Sequence, residues 1–148
     1  MLKKLDNTKI EIAKNMHYVF QTSYAVEAGL LEAVNFPPLQ RTIENFMVCK
    51  NDFFGYFKDK KLAGVIEIKN HPKYTHVQSL VVLPFFFRRG IAAKLISFVF
   101  VRYHKKPFFV ETGAKNKPAI NLYKKMGFIE VTQWDTDHGV RKIRLKKS

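Results

Sequence analysis

The residues best placed to do chemistry are Arg88, Arg89 and Gly90. An apolar run, Leu80–Val81–Val82, leads into Pro84, which cannot donate in a strand ladder and so ends it or keeps it at an edge. A basic bend follows, and a helix-period stretch opens at Gly90. Glycine lets a ligand approach the backbone closely, and Ala92 stays small for the same reason. The N–H groups from Arg88 through Gly90, Ile91 and Ala92 to Ala93 point toward the helix start, where the helix dipole favours an anion. Two arginines beside that point suit a pyrophosphate. The competing reading of these residues alone is a solvated basic connection.

Such a junction needs a strand on one side and a helix on the other, inside a larger sheet. Lys9–Ala13 alternates and reads as a short first strand. Asn15 then caps a helix with Met16, Val19, Ser23, Val26 and Leu30 on one face. Pro37 and Pro38 open a second helix with Leu39, Ile43, Phe46 and Met47 inward. Phe53–Phe57 and Leu62–Ile68 flank a polar turn and read as a hairpin, which Thr75–Leu83 extends to a meander. The helix from Gly90 to about Arg102 is followed by a buried-type strand, Phe108–Glu111. Strand, helix, strand at this length predicts a parallel pair. Asn116–Pro118 starts a short helix with Ala119, Leu122, Tyr123 and Met126 inward, and Gly127 ends it. Phe128–Gln133 and Val140–Leu145 complete the sheet. The order β-α-α-β-β-β-α-β-α-β-β predicts a mixed α/β fold in one domain, residues 1–148.

Two segments carry a family likeness. LVVLPFFFRRGIAAKLI resembles motif A of the GNAT N-acetyltransferases, Q/R-x-x-G-x-G/A after an L-x-V-x-P strand end. ETGAKNKPAINLYKKMGF resembles their motif B, with Asn116, Ala119, Leu122, Tyr123, Gly127 and Phe128 in register. The resemblance spans Lys9 to Lys146. It implies a mostly antiparallel sheet flanked by helices, with a V-shaped splay between the fourth and fifth strands. It implies acetyl-CoA as donor and a primary amine as acceptor, on a small molecule or on a protein or peptide, with direct transfer and no metal. Backbone N–H groups from Arg88 to Ala93 would cradle the pyrophosphate. Leu80, Val81 and Val82 would flank the pantetheine arm, with an N–H near Val82 polarising the thioester. Asn116 would touch the CoA arm, and Tyr123 would protonate the departing thiolate.

The resemblance places a general base near His76, four residues before Leu80. Histidine has the intrinsic pKa for that work, and His76 is expected to share a strand face with Gln78, Leu80 and Val82. Glu67 on the neighbouring strand is expected to orient His76 or to act in its place, with water as the third choice. Glu111 stands behind these, since its Glu-Thr-Gly context also has a structural reading. One position departs from the motif. Phe87 stands where the family has Gln or Arg, which predicts weaker or rearranged cofactor binding.

Bulk properties bound the rest. The net charge of +14 favours anionic partners. A polyphosphate cofactor or an acidic peptide fits, and nucleic acid is the less favoured partner. The rival reading is a basic RNA- or partner-binding module on the same fold with weak or no catalysis. A lone cysteine, Cys49, precludes an internal disulfide and suits a cytoplasmic location. The scattered histidines suggest no metal. No apolar run of about 18 residues predicts a membrane span, and the first residues lack a secretory apolar core. A monomer and a homodimer both fit.

Overall fold

In the computed structural model, which describes residues 1–33 and 36–148, a seven-stranded sheet is flanked by four helices. Strand β1 (Leu2–Leu5) is followed by α1 (Ile10–Leu31), a 3-10 turn at Pro37–Gln40, and α2 (Ile43–Val48). Strands β2 (Asp52–Lys58), β3 (Lys61–Asn70) and β4 (Thr75–Val82) form the meander. A 3-10 turn at Pro84–Phe86 leads to α3 (Ile91–Arg102), β5 (Phe108–Gly113), α4 (Lys117–Lys125), β6 (Ile129–Asp135) and β7 (Arg141–Lys147). The strand order is β1-β2-β3-β4-β5-β7-β6. Only β4 and β5 run parallel; the other neighbours are antiparallel.

The β2–β3 hairpin closes through Asp59 and Lys60, whose φ angles are 50° and 67°. Two left-handed residues are what a two-residue turn needs to match strand twist. Strand β3 is buried on both faces from Leu62 to Ile68 because helices cover both sides. One face carries Gly64, where a methyl group would lie 3.0 Å from Ile91 Cγ2 and 3.3 Å from Leu95 Cδ1. That bare position lets α3 settle onto the sheet. Phe20, Phe46 and Phe53 form a chain of edge-on rings on the other side.

The N-terminal third differs from the sequence reading. Lys9–Ala13 is not a strand. Helix α1 starts at Ile10 with Lys9 as its cap, and Asn15 lies inside it. Buried Ala13, Met16, Val19 and Phe20 step at helical spacing, whereas Ile10 is exposed and Ile12 half-buried. The helical stripe therefore outweighs the local alternation. Strand β1 lies earlier and pairs with β2. Helix α1 runs to Leu31, and Val26 and Leu30, expected on its inner face, are exposed. The second predicted helix is split. Arg41 and Thr42 are extended, and Thr42 starts α2 with a reciprocal cap: its hydroxyl accepts from Asn45 N–H, and Asn45 Oδ1 accepts from Thr42 N–H.

Candidate active site

Strands β4 and β5 pair over three positions only: Thr75 with Phe108, His76 with Phe109 and Val77 with Val110. Beyond that, β4 stays on β3 as far as Val82, while β5 stays on β7 as far as Gly113. The parallel strands thus part into a V. Leu83 N–H donates to Ala63 O on β3 at 2.8 Å. By the alternation of a strand, the N–H groups of Leu80 and Val82 point the other way, into the gap.

The gap opens into a cleft of about 1070 Å³, lined by Leu80, Val82, Arg88, Gly90, Ile91, Ala92, Ala93, Asn116 and Tyr123 among others. At its basic end Arg88 has φ 62° and Gly90 φ 75°. Left-handed residues alternating with ordinary ones in a turn bring successive backbone N–H groups to one side, the form of an anion-binding concavity. The first helical bond of α3 runs from Lys94 N–H to Gly90 O at 3.0 Å, and no side chain caps this terminus. The N–H groups of Ile91, Ala92 and Ala93 precede that bond and face the concavity. A Cβ placed on Gly90 would meet nothing within 4 Å, so the space before the helix is open to a ligand.

The structure separates some residues that the sequence grouped here. Val81 is buried, and its side chain points away from the cleft lining. The Arg89 guanidinium lies 5.3 Å and 5.4 Å from the ring centres of Phe85 and Phe86, also outside that lining. Of the three consecutive phenylalanines, Phe86 is buried and Phe85 is 76% exposed. Phe87, 42% exposed, lines the cleft.

At the far wall, Asn116 caps α4 by accepting from Ala119 N–H at 3.3 Å, and its amide donates to Glu27 Oε1 at 3.0 Å. Tyr123 is 5% exposed and packs edge-on against Phe128 with ring centres 5.4 Å apart. Burial, reinforced by the charges of Glu27 and Tyr24, pushes its phenol pKa well above the ordinary range and keeps it protonated. Burial likewise raises the carboxyl of Glu27, beyond what Lys142 and Asn116 offset.

Near the apex the expectation for His76 fails in geometry. The β3–β4 register steps between Glu67–Ser79 and Ile68–Val77, leaving Gln78 without a partner. This bulge reverses the alternation. His76 pairs with Lys69, on the face opposite Leu80 and Val82, which pair with Ile66 and Gly64. His76 Nε2 lies 2.7 Å from Glu111 Oε1, and Nδ1 lies 3.0 Å from Gln78 Oε1. Both ring nitrogens are engaged, and it is Glu111 that lines the cleft. Burial disfavours a charged Glu111, but the hydrogen bond and charge of His76, with Arg144 and Lys142, outweigh it and hold its carboxyl below the usual range.

Glu67 does not meet His76. Its carboxylate takes two hydrogen bonds from Arg41, at 2.7 and 2.9 Å, one from Asn51 at 2.8 Å and one from Ser79 at 2.9 Å. Burial opposes its charge, yet these donors hold its carboxyl below the usual range. With these four bonds and a longer one from Cys49 Sγ at 3.6 Å, Glu67 is a buried counter-ion that fixes Arg41 beside the cleft. Tyr24, Glu27, Arg41 and Lys142 line the cleft without having been foreseen. For Tyr24 and Glu27 the one signal in the sequence was polar residues next to the apolar stripe of α1, and Arg41 and Lys142 had none.

A mixed sheet whose two parallel strands part beside an uncapped, glycine-led helix is an acetyltransferase fold. The chain belongs to the Acetyltransferase (GNAT) family, matching it over residues 16–128. UPF0157 protein YqkA of Bacillus subtilis is 31% identical over 130 residues, which cover 86% of this chain and 38% of that protein. An N-alpha-acetyltransferase of Sulfurisphaera tokodaii is 36% identical over 84 residues, 52% of this chain and 50% of that one. The chain thus spans half or less of the length of these two relatives. The PaiA N-acetyltransferase of Thermoplasma acidophilum, solved in complex with coenzyme A, shares the fold at TM-score 0.77 and 18% identity, covering 100% of this chain and 98% of that one. Among the described residues no helix is long and apolar enough to cross a membrane.

Proposed function

We propose that the protein transfers an acetyl group from acetyl-CoA directly to a primary amine, and that the amine is an α-amine. The observation that carries this reading is the parting of β4 from β5 after Val77 and Val110, with the His76–Glu111 pair at the point of parting. The open Gly90 position, the free helix start and the N–H groups along the edge of β4 fit a pyrophosphate and its amide-bearing arm. When bound, acetyl-CoA supplies the activated thioester. Val82 N–H lies along the edge where a developing oxyanion needs a donor. Glu111, oriented by His76, accepts the proton released as the amine attacks. Tyr123, held protonated by burial, gives its proton to the departing thiolate.

The preference for an α-amine follows from Glu111. A carboxyl held below its usual range is a weak base, so the acceptor must shed its proton with little help. At pH 7 that costs an α-amine of pKa about 7.7–8.0 about 1 kcal/mol, and a lysine amine of pKa about 10.4 about 4.6 kcal/mol. The description of the Sulfurisphaera relative as an N-alpha-acetyltransferase agrees with this choice. The reading is tested by calorimetric titration with CoA, alongside CoA release from acetyl-CoA over a panel of peptides and lysine-side-chain amines. Absence of CoA binding, or equal turnover of both amine classes, overturns it.

A further inference from the structure

A second cavity, about 480 Å³, lies beside the first, and Gln78 and Glu111 line both. Its other walls include Lys69, His71, Tyr74, Trp134 and Arg144. The rings of His71 and Tyr74 stack at 4.3 Å, and Tyr74 meets Phe109 edge-on at 5.2 Å. The Arg144 guanidinium lies over the Phe109 ring, 4.3 Å from its centre. Stacking on an aromatic ring holds a guanidinium in one plane and leaves its rim to meet a planar partner. Among the described residues Arg144 has one carboxylate neighbour, Glu111. Nε lies 3.3 Å from Oε2 but without hydrogen-bond alignment, and Nε is buried with no other partner. Two basic side chains, Arg144 and Lys69, therefore line a cavity in which the one carboxylate among the described lining residues, Glu111, is shared between His76 and Arg144, and neither terminal nitrogen of the Arg144 guanidinium makes a hydrogen bond among the described residues.

We infer that this cavity reads a carboxylate on the acceptor, on the side chain of the residue after the reacting amine. The inference rests on the α-amine reading above. An extended chain advances about 3.3 Å per residue. With its amine at Glu111, a peptide can lay its second side chain across the ridge formed by Gln78 and Glu111. The carboxylate then meets the fork of Arg144, the geometry in which arginine binds carboxylates with two parallel bonds. The aromatic walls flank that pair while Arg144 stays partly exposed, so the pair remains open to screening by salt, and Lys69 adds charge of the same sign. An acidic peptide fits better than RNA, because a ribose-phosphate chain carries no aliphatic amine one residue from its anionic group.

The test uses the full chain and two short peptides with free α-amines, identical except for Glu or Gln as the second residue. The expected wild-type kcat/KM ratio favours the Glu peptide about tenfold, and shrinks between about 50 and 500 mM salt as screening shortens. In Arg144→Gln the ratio is expected to fall to near one, with Arg144→Lys between. Both peptides meet the same Glu111, so the ratio divides out any effect of the substitution on the proton acceptor. A wild-type ratio near one, or one indifferent to salt, removes the inference while leaving acetyl transfer intact, and needs no variant to fold. A ratio unchanged in Arg144→Gln also removes it. If neither peptide turns over while CoA binds, the acceptor reading falls together with this one.

Discussion

His76 Nε2 and Glu111 Oε1 lie 2.7 Å apart across two parallel strands whose pairing ends at the next residue of β4, Val77. The imidazole therefore closes the apex of the gap and fixes the carboxylate that faces it. In the mechanism proposed above, this arrangement makes His76 a positioning residue and Glu111 the proton acceptor.

Glu111→Gln is expected to lower kcat by about 100-fold or more while CoA affinity stays within about twofold. His76→Ala is expected to lower kcat less, about tenfold, because the carboxylate remains but loses its orientation. Steady-state rates and CoA titration of both variants check this; a larger loss in His76→Ala than in Glu111→Gln would reverse the assignment.

The pH dependence follows from the same pair. Glu111 has a lowered carboxyl pKa, so it is already ionised below its usual range and stays so across neutral pH. A rise of kcat/KM between about pH 6 and 9 that follows the amine is then expected to report the acceptor's own proton, whereas one that stays fixed reports the enzyme. The apparent pKa is expected to shift with the amine when two peptides of different α-amine pKa are compared.

Tyr123→Phe is expected to lower kcat about 100-fold with little change in CoA affinity. Because burial raises the phenol pKa, wild-type activity should show no loss from Tyr123 ionisation up to about pH 10. Equal losses in turnover and in CoA affinity would remove the acid role.

Gly90→Val tests the cradle. The residue has φ 75°, and a side chain there enters space that no protein atom occupies. CoA affinity is expected to fall at least about tenfold, with the left-handed backbone adding about 1 kcal/mol of instability. Calorimetry and thermal unfolding separate the two effects.

Glu67→Gln is expected to cost about 3 kcal/mol, because it leaves the half-buried Arg41 without its counter-charge. The folded carboxyl sits below its unfolded value, so its contribution is present above the unfolded pKa of about 4.3 and is lost as pH falls through the folded one. The wild type should lose stability on acidification in that window, and the variant should lose less. Urea unfolding at pH 7 and at about pH 3.5 measures both.

The sequence was most legible where one local rule decides the outcome. The polar turn before Lys61, the strand end before Pro84, and the helix starts at Gly90 and Asn116 all appear as read. It was least legible where distant contacts decide. KIEIA alternates like a strand, but Ala13, Met16 and Phe20 are drawn inward together and make it helical. The bulge at Gln78 has no glycine or proline to announce it, so the face of His76 could not be read from spacing. Glu67 looks catalytic by type, and only its pairing with Arg41, 26 positions away in sequence, shows that its oxygens are already used. Arg144 carried no signal beyond its charge, because its place over the Phe109 ring joins two strands far apart in the chain.

One consequence of the parted strands concerns mechanics. Three residue pairs join β1–β4 to β5–β7, so the sheet is two leaves on a short seam. Helix α1 packs on β3 and β4, and its last turn reaches the other leaf, where Leu31 lies on the bare Cα of Gly113 and Glu27 holds Asn116. The helix works as a brace across the opening. A methyl at Gly113 would push against Leu31 and load that brace, and a ligand wedged in the gap would tension it. The amides of the last turn of α1 are therefore the place where hydrogen exchange should register a ligand bound at the opposite wall.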